Sequence, residues 1–339
     1  MNRRPVRLAD VAEAAGTSTK TASRVINGDT RVAEATRVRV LEQVDQLGYR
    51  VDVMARTLRR GVDDTVGVIV PTIGDPFFAT MIEEIERISL DRGISVLIAS
   101  NSRDPRTERK VVDGLIARRV AGMIITPFST DYGFLTHVNT PTVFLDRHPQ
   151  GLEAGVVLVD DFAAAQKAVR HLASFGHSRI AIVVDDLEIE TSRLRRDGYV
   201  VALTDMGLPV DPQLQLAGCT DAATAEMRTR ELLSRPFCPT AILSARSETS
   251  LGVVRALHLC DRTDIAMVSF GDFVTADILD PAITVLDHNP RILARIAMER
   301  VLALMDGSGD DIALDEVVDL QLIARGSGEI APQEREAVA

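Results

Sequence analysis

Over the first fifty residues the apolar positions recur at helical spacing. Leu8, Val11, Ala12 and Ala15 fall at i, i+3, i+4 and i+7, which predicts one helix with a single buried stripe. Gly16 ends it, since glycine adopts the left-handed conformation of a helix C-cap. Ser18 is placed to N-cap a second helix, in which Ala22, Val25 and Ile26 point inward while Thr19, Lys20, Ser23, Arg24 and Asn27 share the outward face. That face either reads a polyanion or is merely solvated. A third helix is expected from about Ala35 to Leu47, with Val38, Leu41, Val44 and Leu47 inward and Gly48 as its stop. Val51 to Arg60 offers two further helical turns behind Asp52 as N-cap. So short a helix is marginal in water and is expected to fold only against a partner, and Arg56, Arg59 and Arg60 point to a polyanion.

From Thr65 onward the pattern changes to short β-branched runs alternating with helical stretches. Strands are expected at Thr65 to Val70, Ser95 to Ala99, Gly122 to Thr126, Thr142 to Asp146, Val156 to Asp160, Arg179 to Val184, Thr240 to Ser244, Ile265 to Phe270 and Ile283 to Leu286, with a helix from about Phe77 to Arg92. Strands alternating with helices imply parallel sheets. The length of this part exceeds what one such sheet needs, so two α/β lobes are expected. The boundaries read as a helical domain over 1–49, a hinge helix and linker over 50–63, a two-lobed domain over 64–328 and a flexible tail over 329–339.

Charge sharpens this division. The chain carries 38 basic and 49 acidic side chains, net −11, which alone argues against nucleic acid. Residues 1–60, however, hold 12 basic and 7 acidic side chains, net +5, leaving −16 for the remainder. The positive end coincides with the short helices, where neutralised phosphates would release counterions and make binding salt-dependent. Cys219, Cys238 and Cys260 show no CxxC spacing, and His137, His148, His171, His177, His258 and His288 show no metal-ligand spacing, so neither a metal nor a cofactor is expected. His177 reads as a helix-to-strand loop residue, and the acidic doublets Asp160-Asp161, Asp185-Asp186 and Asp310-Asp311 as solvated loops. No apolar run spans a bilayer and the basic, helix-patterned amino end is no signal peptide, so a cytoplasmic, nucleoid-associated protein is expected.

The segment from Leu8 to Leu58 resembles the headpiece of the lactose-repressor (LacI) family of bacterial transcription regulators, through its helix-turn-helix pattern, the Gly48-Tyr49-Arg50 junction and the hinge Ala55-Arg56-Thr57-Leu58. The resemblance continues along nearly the whole chain. It implies an all-α helix-turn-helix headpiece followed by an α/β two-lobed, periplasmic-binding-protein-like effector domain with parallel sheets and a ligand between the lobes. It further implies that Thr19, Lys20 and Arg24 read base edges, that Thr21, Ser23 and Asn27 hold phosphates, and that Ala55, Arg56 and Leu58 enter the minor groove, Leu58 as the wedge. Ala33 stands where the family has an N-capping Ser or Thr, and Val51 where it has proline before the hinge.

The same resemblance places Phe77, Phe78, Asp146, Thr191, Arg195, Arg246, Asp272 and His288 at the effector. Core packing is an equal alternative for Phe78, and Arg193 and Arg196 read as surface charges. Arg246-Ser247 replaces the family's Asn-Asp pair, Ser269-Phe270-Gly271 lacks its carboxylate, Cys219 stands at an aromatic pocket position and His288 replaces a glutamine. A gained arginine beside Arg195 favours an acidic effector, a sugar acid or phosphorylated sugar. The alternative is that Arg246 is neutralised internally by Glu248 or Asp272. The implied function is a repressor gated by a carbohydrate-type effector and acting as a homodimer on near-palindromic double-stranded DNA, with no membrane partner. The tail lacks leucine heptads, which favours a dimer over a tetramer. A sugar sensor or sugar-processing enzyme with a vestigial headpiece is the competing class, though no catalytic triad, acid–base pair or phosphate loop supports an enzyme.

Overall fold

The computed structural model describes residues 6–26, 28–49, 64–128, 131–308 and 315–333. The chain divides into two compact units, Met1–Asp63 and Asp64–Ala339. In the first, α1 (Leu8–Ala14), α2 (Thr19–Ile26) and α3 (Glu34–Leu47) close a small core of Val11, Ala12, Ala15, Ala22, Val25 and Val40, with Val44 and Tyr49 packed against it. Gly16 (φ 62°) and Gly48 (φ 63°) take the left-handed turn expected of them. Ser18 Oγ accepts from the Thr21 backbone N–H at 3.1 Å, the capping bond for α2, whereas Ala33 provides no side-chain cap for α3.

The inward face of α3 differs from the expected one. Val40 is fully buried, while Val38, Leu41 and Leu47 are 45%, 47% and 37% exposed. The reason is geometric: at about 100° per residue, each step of three falls roughly 60° short of a full turn, so positions 38, 41, 44 and 47 wind around the helix. A lasting stripe must mix steps of three and four, and here the inward positions are Val40, fully buried, and Val44 four residues on, partly buried against the same core.

The second unit holds two six-stranded sheets. In lobe 1 the strands are β1 (Thr65–Val70), β2 (Ser95–Ser100), β3 (Gly122–Ile125), β4 (Thr142–Leu145), β5 (Val156–Val159) and β11 (Glu316–Val318), all parallel in the order β2-β1-β3-β4-β5-β11. Lobe 2 repeats the pattern with β6 (Ile180–Val183), β7 (Gln215–Leu216), β8 (Ala241–Ser244), β9 (Ala266–Phe270) and β10 (Thr284–Asp287), in the order β7-β6-β8-β9-β10, and closes with antiparallel β12 (Gln321–Ile323). Every residue of β1 is buried, as an unbroken Thr-Val-Gly-Val-Ile-Val run requires when helices cover both faces of a parallel sheet. Three strands were not foreseen, β7, β11 and β12, which at two or three residues are too short to carry a periodicity.

Helices α4 (Pro76–Asp91) and α5 (Pro105–Ala117) cover lobe 1. Lobe 2 carries α6 (Asp161–Ser174), α7 (Glu190–Asp205), α8 (Ala222–Leu233) and α9 (Ser247–Leu259), and α10 (Pro290–Met305) returns to pack on α4 and on β3 to β5. Asp75, Asp104, Asp160 and Asp221 each accept a backbone N–H at a helix start, a bond usually worth about 1 kcal/mol. Glu329 and Ile330, expected in the flexible tail, are instead bound to lobe 2. Glu329 Oε1 lies 2.6 Å from His171 Nε2 and its Oε2 accepts from Thr284 Oγ1, while buried His177 donates to the Ile330 carbonyl at 2.7 Å and its other ring nitrogen lies 3.0 Å from Thr240 Oγ1. His177 therefore ties the carboxyl segment to lobe 2 rather than merely occupying a loop.

The chain crosses between lobes after β5, after β10 and after β11, and polar bonds join the facing edges. The backbone N–H and Nδ1 of His148, in lobe 1, both reach Glu190 of α7 at 2.9 Å, and its Nε2 lies 3.0 Å from Asp315. Burial alone would lower the His148 pKa, but the bonds to Asp315 and Glu190 outweigh it and raise the pKa above its ordinary value. With both nitrogens on carboxylates, the ring is held as an imidazolium.

Two predictions follow from this packing. A Cβ at Gly198 of α7 would lie 2.3 Å from the Phe162 carbonyl and 3.1 Å from Ala165 Cβ, so Gly198→Ala should prise α7 from α6 and lower stability by about 1–3 kcal/mol, read as a lower denaturant midpoint at unchanged slope. Because the folded His148 pKa is raised, its contribution is present below the unfolded value and lost as pH rises through the folded one. The melting-temperature gap between wild type and His148→Gln should be widest below the ordinary histidine value of about 6.5 and narrow as pH rises above it; a gap independent of pH would contradict the clasp.

Candidate functional site

Parallel sheets of these strand orders present their ligand crevice at the carboxyl ends of the strands, where the order reverses. Those ends face each other across the two lobes. The cavity between them is about 40 Å³ and is lined from lobe 1 by the segments after β1 to β4, from lobe 2 by those after β6 and β8, and by His288 at the crossing after β10. Of the residues expected at the effector, Phe77, Phe78, Asp146, Thr191, Arg195, Arg246 and His288 all line it.

Phe77 stacks on His288 with ring centroids 4.3 Å apart and nearly parallel planes, and Phe78 meets Phe77 edge-on at 5.0 Å. Burial holds the His288 imidazole neutral, its pKa lowered to about 3, with Arg195 adding to the shift. Among the described residues His288 Nδ1 has no hydrogen-bond partner. Both phenylalanines are thus core and wall at once, at 9% and 5% exposure.

Arg195 donates from Nε to Asp161 Oδ1 and from Nη1 to the Ala245 carbonyl, each at 2.7 Å, and its guanidinium lies 3.7 Å from the centre of the Phe270 ring. Burial pushes the Asp161 carboxyl up, to about 7, against the pull of Arg195. Asp146, at φ 72°, lies 3.2 Å from Arg147 Nε, and Arg147 also donates to the Pro127 carbonyl. Asp75, which caps α4, turns a buried carboxyl to the same cavity, and burial raises its pKa.

Arg246 does not stand free. It pairs with both Asp185 and Glu248 and donates to the Thr220 carbonyl at 3.0 Å. Internal neutralisation is therefore the outcome, with Asp185 joining Glu248 where Asp272 was the alternative. Arg103 reaches the same carboxylate from lobe 1, its Nη2 donating to both Asp185 oxygens at 2.8 Å. Its position is built in: Ser102 and Arg103 both have positive φ, 54° and 57°. Asn101 Oδ1 accepts from the Arg103 N–H, and Asn101 Nδ2 donates to buried Glu108, which also accepts from the Phe128 N–H. Two successive non-glycine residues in this conformation persist only where the surroundings enforce it.

Three expectations change. Asp272 pairs with Arg325 at 2.6 Å and faces a separate groove bounded by Phe77 and His288, because the turn at Gly271 (φ 87°) carries it past the cavity. Cys219 is fully buried in the core of lobe 2, its thiol against the Leu216 carbonyl, and does not line the cavity. Asp161 and Asp185 are not solvated loop acids but the buried partners of Arg195 and Arg103, at 3% exposure each. Asp310 and Asp311 lie outside the described residues.

In the first unit, α2 buries Ala22 and Val25 and leaves Thr19, Lys20 and Arg24 exposed. Thr21 and Ser23 are half-buried, and Thr21 Oγ1 lies 2.9 Å from Ser18 Oγ. Asp29 receives both Nε and Nη2 of Arg31 at 2.9 Å, and its Oδ2 lies 3.8 Å from Arg24 Nε. The Arg31 bonds hold its carboxyl down, at about 2, so it stays ionised beside the outward face of α2. Asn27 and the hinge residues Ala55, Arg56 and Leu58 lie outside the described residues. No helix among the described residues is long and apolar enough to cross a membrane.

Comparison with known proteins agrees with this geometry. Residues 7–52 match the bacterial regulatory proteins of the lacI family, and residues 63–313 match the periplasmic binding proteins and sugar binding domain of the LacI family. The HTH-type transcriptional repressor CytR of Escherichia coli is 31% identical over 95% of this chain and 96% of its own length, and the regulator GalR of the same organism 29% identical over 88% of each. The crystal structure of the Lac repressor dimer bound to operator and the anti-inducer ONPF superposes with a TM-score of 0.86 at 26% identity, covering 97% of this chain and all of that one. With a helix-turn-helix unit, two parallel-sheet lobes around a polar cleft and matches to both family models, the chain belongs to the LacI family of DNA-binding transcriptional regulators and carries that family's sugar-binding domain.

Proposed function

We propose that the protein is an effector-gated transcriptional repressor whose dimer binds a near-palindromic operator and whose cleft takes a neutral, hydroxyl-rich carbohydrate. The observation that carries the choice of effector is the pairing of Arg103, Arg147, Arg195 and Arg246, each with a carboxylate. Among the described residues every guanidinium lining the inner cavity is paired with a carboxylate, so an acidic sugar entering it would find no free cation, and burying an additional unpaired charge is strongly unfavourable. Carboxylates and a neutral imidazole nitrogen suit hydroxyl groups, which donate to them. This replaces the acidic effector expected from the presence of Arg246.

For DNA, exposed Thr19, Lys20 and Arg24 support base reading, and Arg24 is the strongest reader because a guanidinium pairs with guanine through two bonds. Thr21, Ser23 and Asn27 are assigned to phosphates, and Ala55, Arg56 and Leu58 to the minor groove at the operator centre. The effector acts on DNA binding only through its differential affinity for the two lobe arrangements.

Selection of bound duplexes from a random pool by the full-length protein tests the DNA side. An enriched near-palindrome is expected, and Arg24→Ala should relax one base position per half-site at a cost of about 1–3 kcal/mol. Failure to enrich any sequence would contradict the assignment. Thermal unfolding against neutral and acidic sugars tests the effector side. Neutral compounds alone should raise the melting temperature; a rise with acidic sugars that Arg246→Asn abolishes would restore the acidic reading.

A further inference from the structure

An acid stands beside the DNA-reading face of α2. Asp29 follows the helix by three residues, where a carboxylate repels the phosphates of any duplex lying against Lys20 and Arg24. That cost calls for a compensating role, and the bonds of Asp29 indicate one.

Its backbone is fixed from two sides. The Asp29 N–H donates to the Arg24 carbonyl at 2.9 Å, closing the end of α2, and the Asp29 carbonyl accepts from Arg37 Nη2 of α3 at 3.2 Å. Oδ1 accepts from the Arg31 N–H at 3.0 Å, which completes the turn between the helices. The carboxylate side chain is thereby sheltered, at 16% exposure, while the Arg24 and Arg31 side chains that converge on it remain 53% and 83% exposed.

The two arginines are held differently. Arg31 is forked onto the carboxylate through Nε and Nη2, both at 2.9 Å. Arg24 approaches through Nε, 3.8 Å from Oδ2, which is an ion pair and not a hydrogen bond. Approach through Nε leaves the terminal pair, Nη1 and Nη2, for a base edge, and guanine O6 and N7 accept from such a pair. A carboxylate behind Nε also narrows the freedom of a long side chain before DNA arrives, which reduces the ordering cost of binding. By partly neutralising both guanidinium groups it weakens their attachment to phosphates of any sequence. Both effects favour the cognate base over the backbone.

We infer that Asp29 is a specificity-determining positioning residue of the DNA-binding surface, one that aims Arg24 at its base from behind and withholds Arg24 and Arg31 from indiscriminate contact with phosphate. The inference rests on Arg24 as a base reader.

The test compares full-length wild type, Arg24→Ala, Asp29→Asn and Arg31→Ala across a range of salt. Each is titrated with the duplex enriched by selection, with that duplex altered at the position that Arg24→Ala relaxes, and with a duplex of unrelated sequence. Asparagine keeps an Oδ1 acceptor for the Arg31 N–H, and with it the turn, while removing the charge. Asp29→Asn should lose roughly fivefold of the preference at that position, bind the unrelated duplex more tightly, and show a salt slope steeper by about one. Arg31→Ala, which leaves Asp29 facing Arg24 alone, should keep the preference. Unchanged preference and slope in Asp29→Asn would reduce Asp29 to a turn former, and loss of the preference in Arg31→Ala would make Arg31 the group that Asp29 aims; either result overturns the inference. If Arg24→Ala relaxes no position, the base-reading assignment itself fails.

Discussion

Asp185 receives guanidinium groups from both lobes, Arg103 from one and Arg246 from the other, and the closed cleft depends on that convergence. A carboxylate at 3% exposure has lost nearly all its hydration, so it is stable as an anion only while cations replace the missing water. The arrangement is self-consistent: Glu248 offsets the second arginine, Asp161 offsets Arg195, and Asp146 offsets Arg147. A ligand entering the inner cavity therefore meets paired charges, with Arg147 Nε, Arg246 Nε and His288 Nδ1 the buried atoms of its lining that lack a hydrogen-bond partner among the described residues. It must exchange existing bonds for its own, and through that exchange its presence can be felt in the relation of the lobes.

The two units solve different physical problems with different means. The headpiece has a core of a few aliphatic side chains and spends its outward helix face on polar groups, in a segment of net +5. The effector unit is a large doubly covered pair of sheets whose acidic excess keeps it from competing for DNA. Within it, the strand orders put loop residues from distant parts of the sequence at facing strand ends, so Arg103 and Asp185, 82 residues apart, meet on one ligand surface.

That separation explains what could be read from the sequence. The sheets were legible because fully buried parallel strands are unbroken apolar runs, as in Thr65–Val70, and the cleft wall because Phe77, Asp146, Thr191 and Arg195 follow those runs in a family-like pattern. Asp161 and Asp185 were not, since an acid beside an acid at a strand end looks the same whether it is solvated or buried against an arginine. Arg103 carried no signal either: Asn-Ser-Arg-Asp-Pro reads as an ordinary turn, and only the left-handed pair at Ser102 and Arg103 aims the guanidinium across the cleft. The face of α3 was misjudged for a simpler reason, three-residue spacing standing in for a true helical stripe.

The dependence of the closed cleft on Asp185 is most directly examined by pulsed electron resonance between one spin label on α5 in lobe 1 and one on α8 in lobe 2, in wild type and Asp185→Asn. Neutralising the shared acceptor should leave Arg103 without its carboxylate and facing Arg246, which keeps only Glu248, and the interlobe distance should lengthen and broaden. Identical distance distributions in the two proteins would show that the lobes are held by other contacts and would remove Asp185 from the centre of the mechanism.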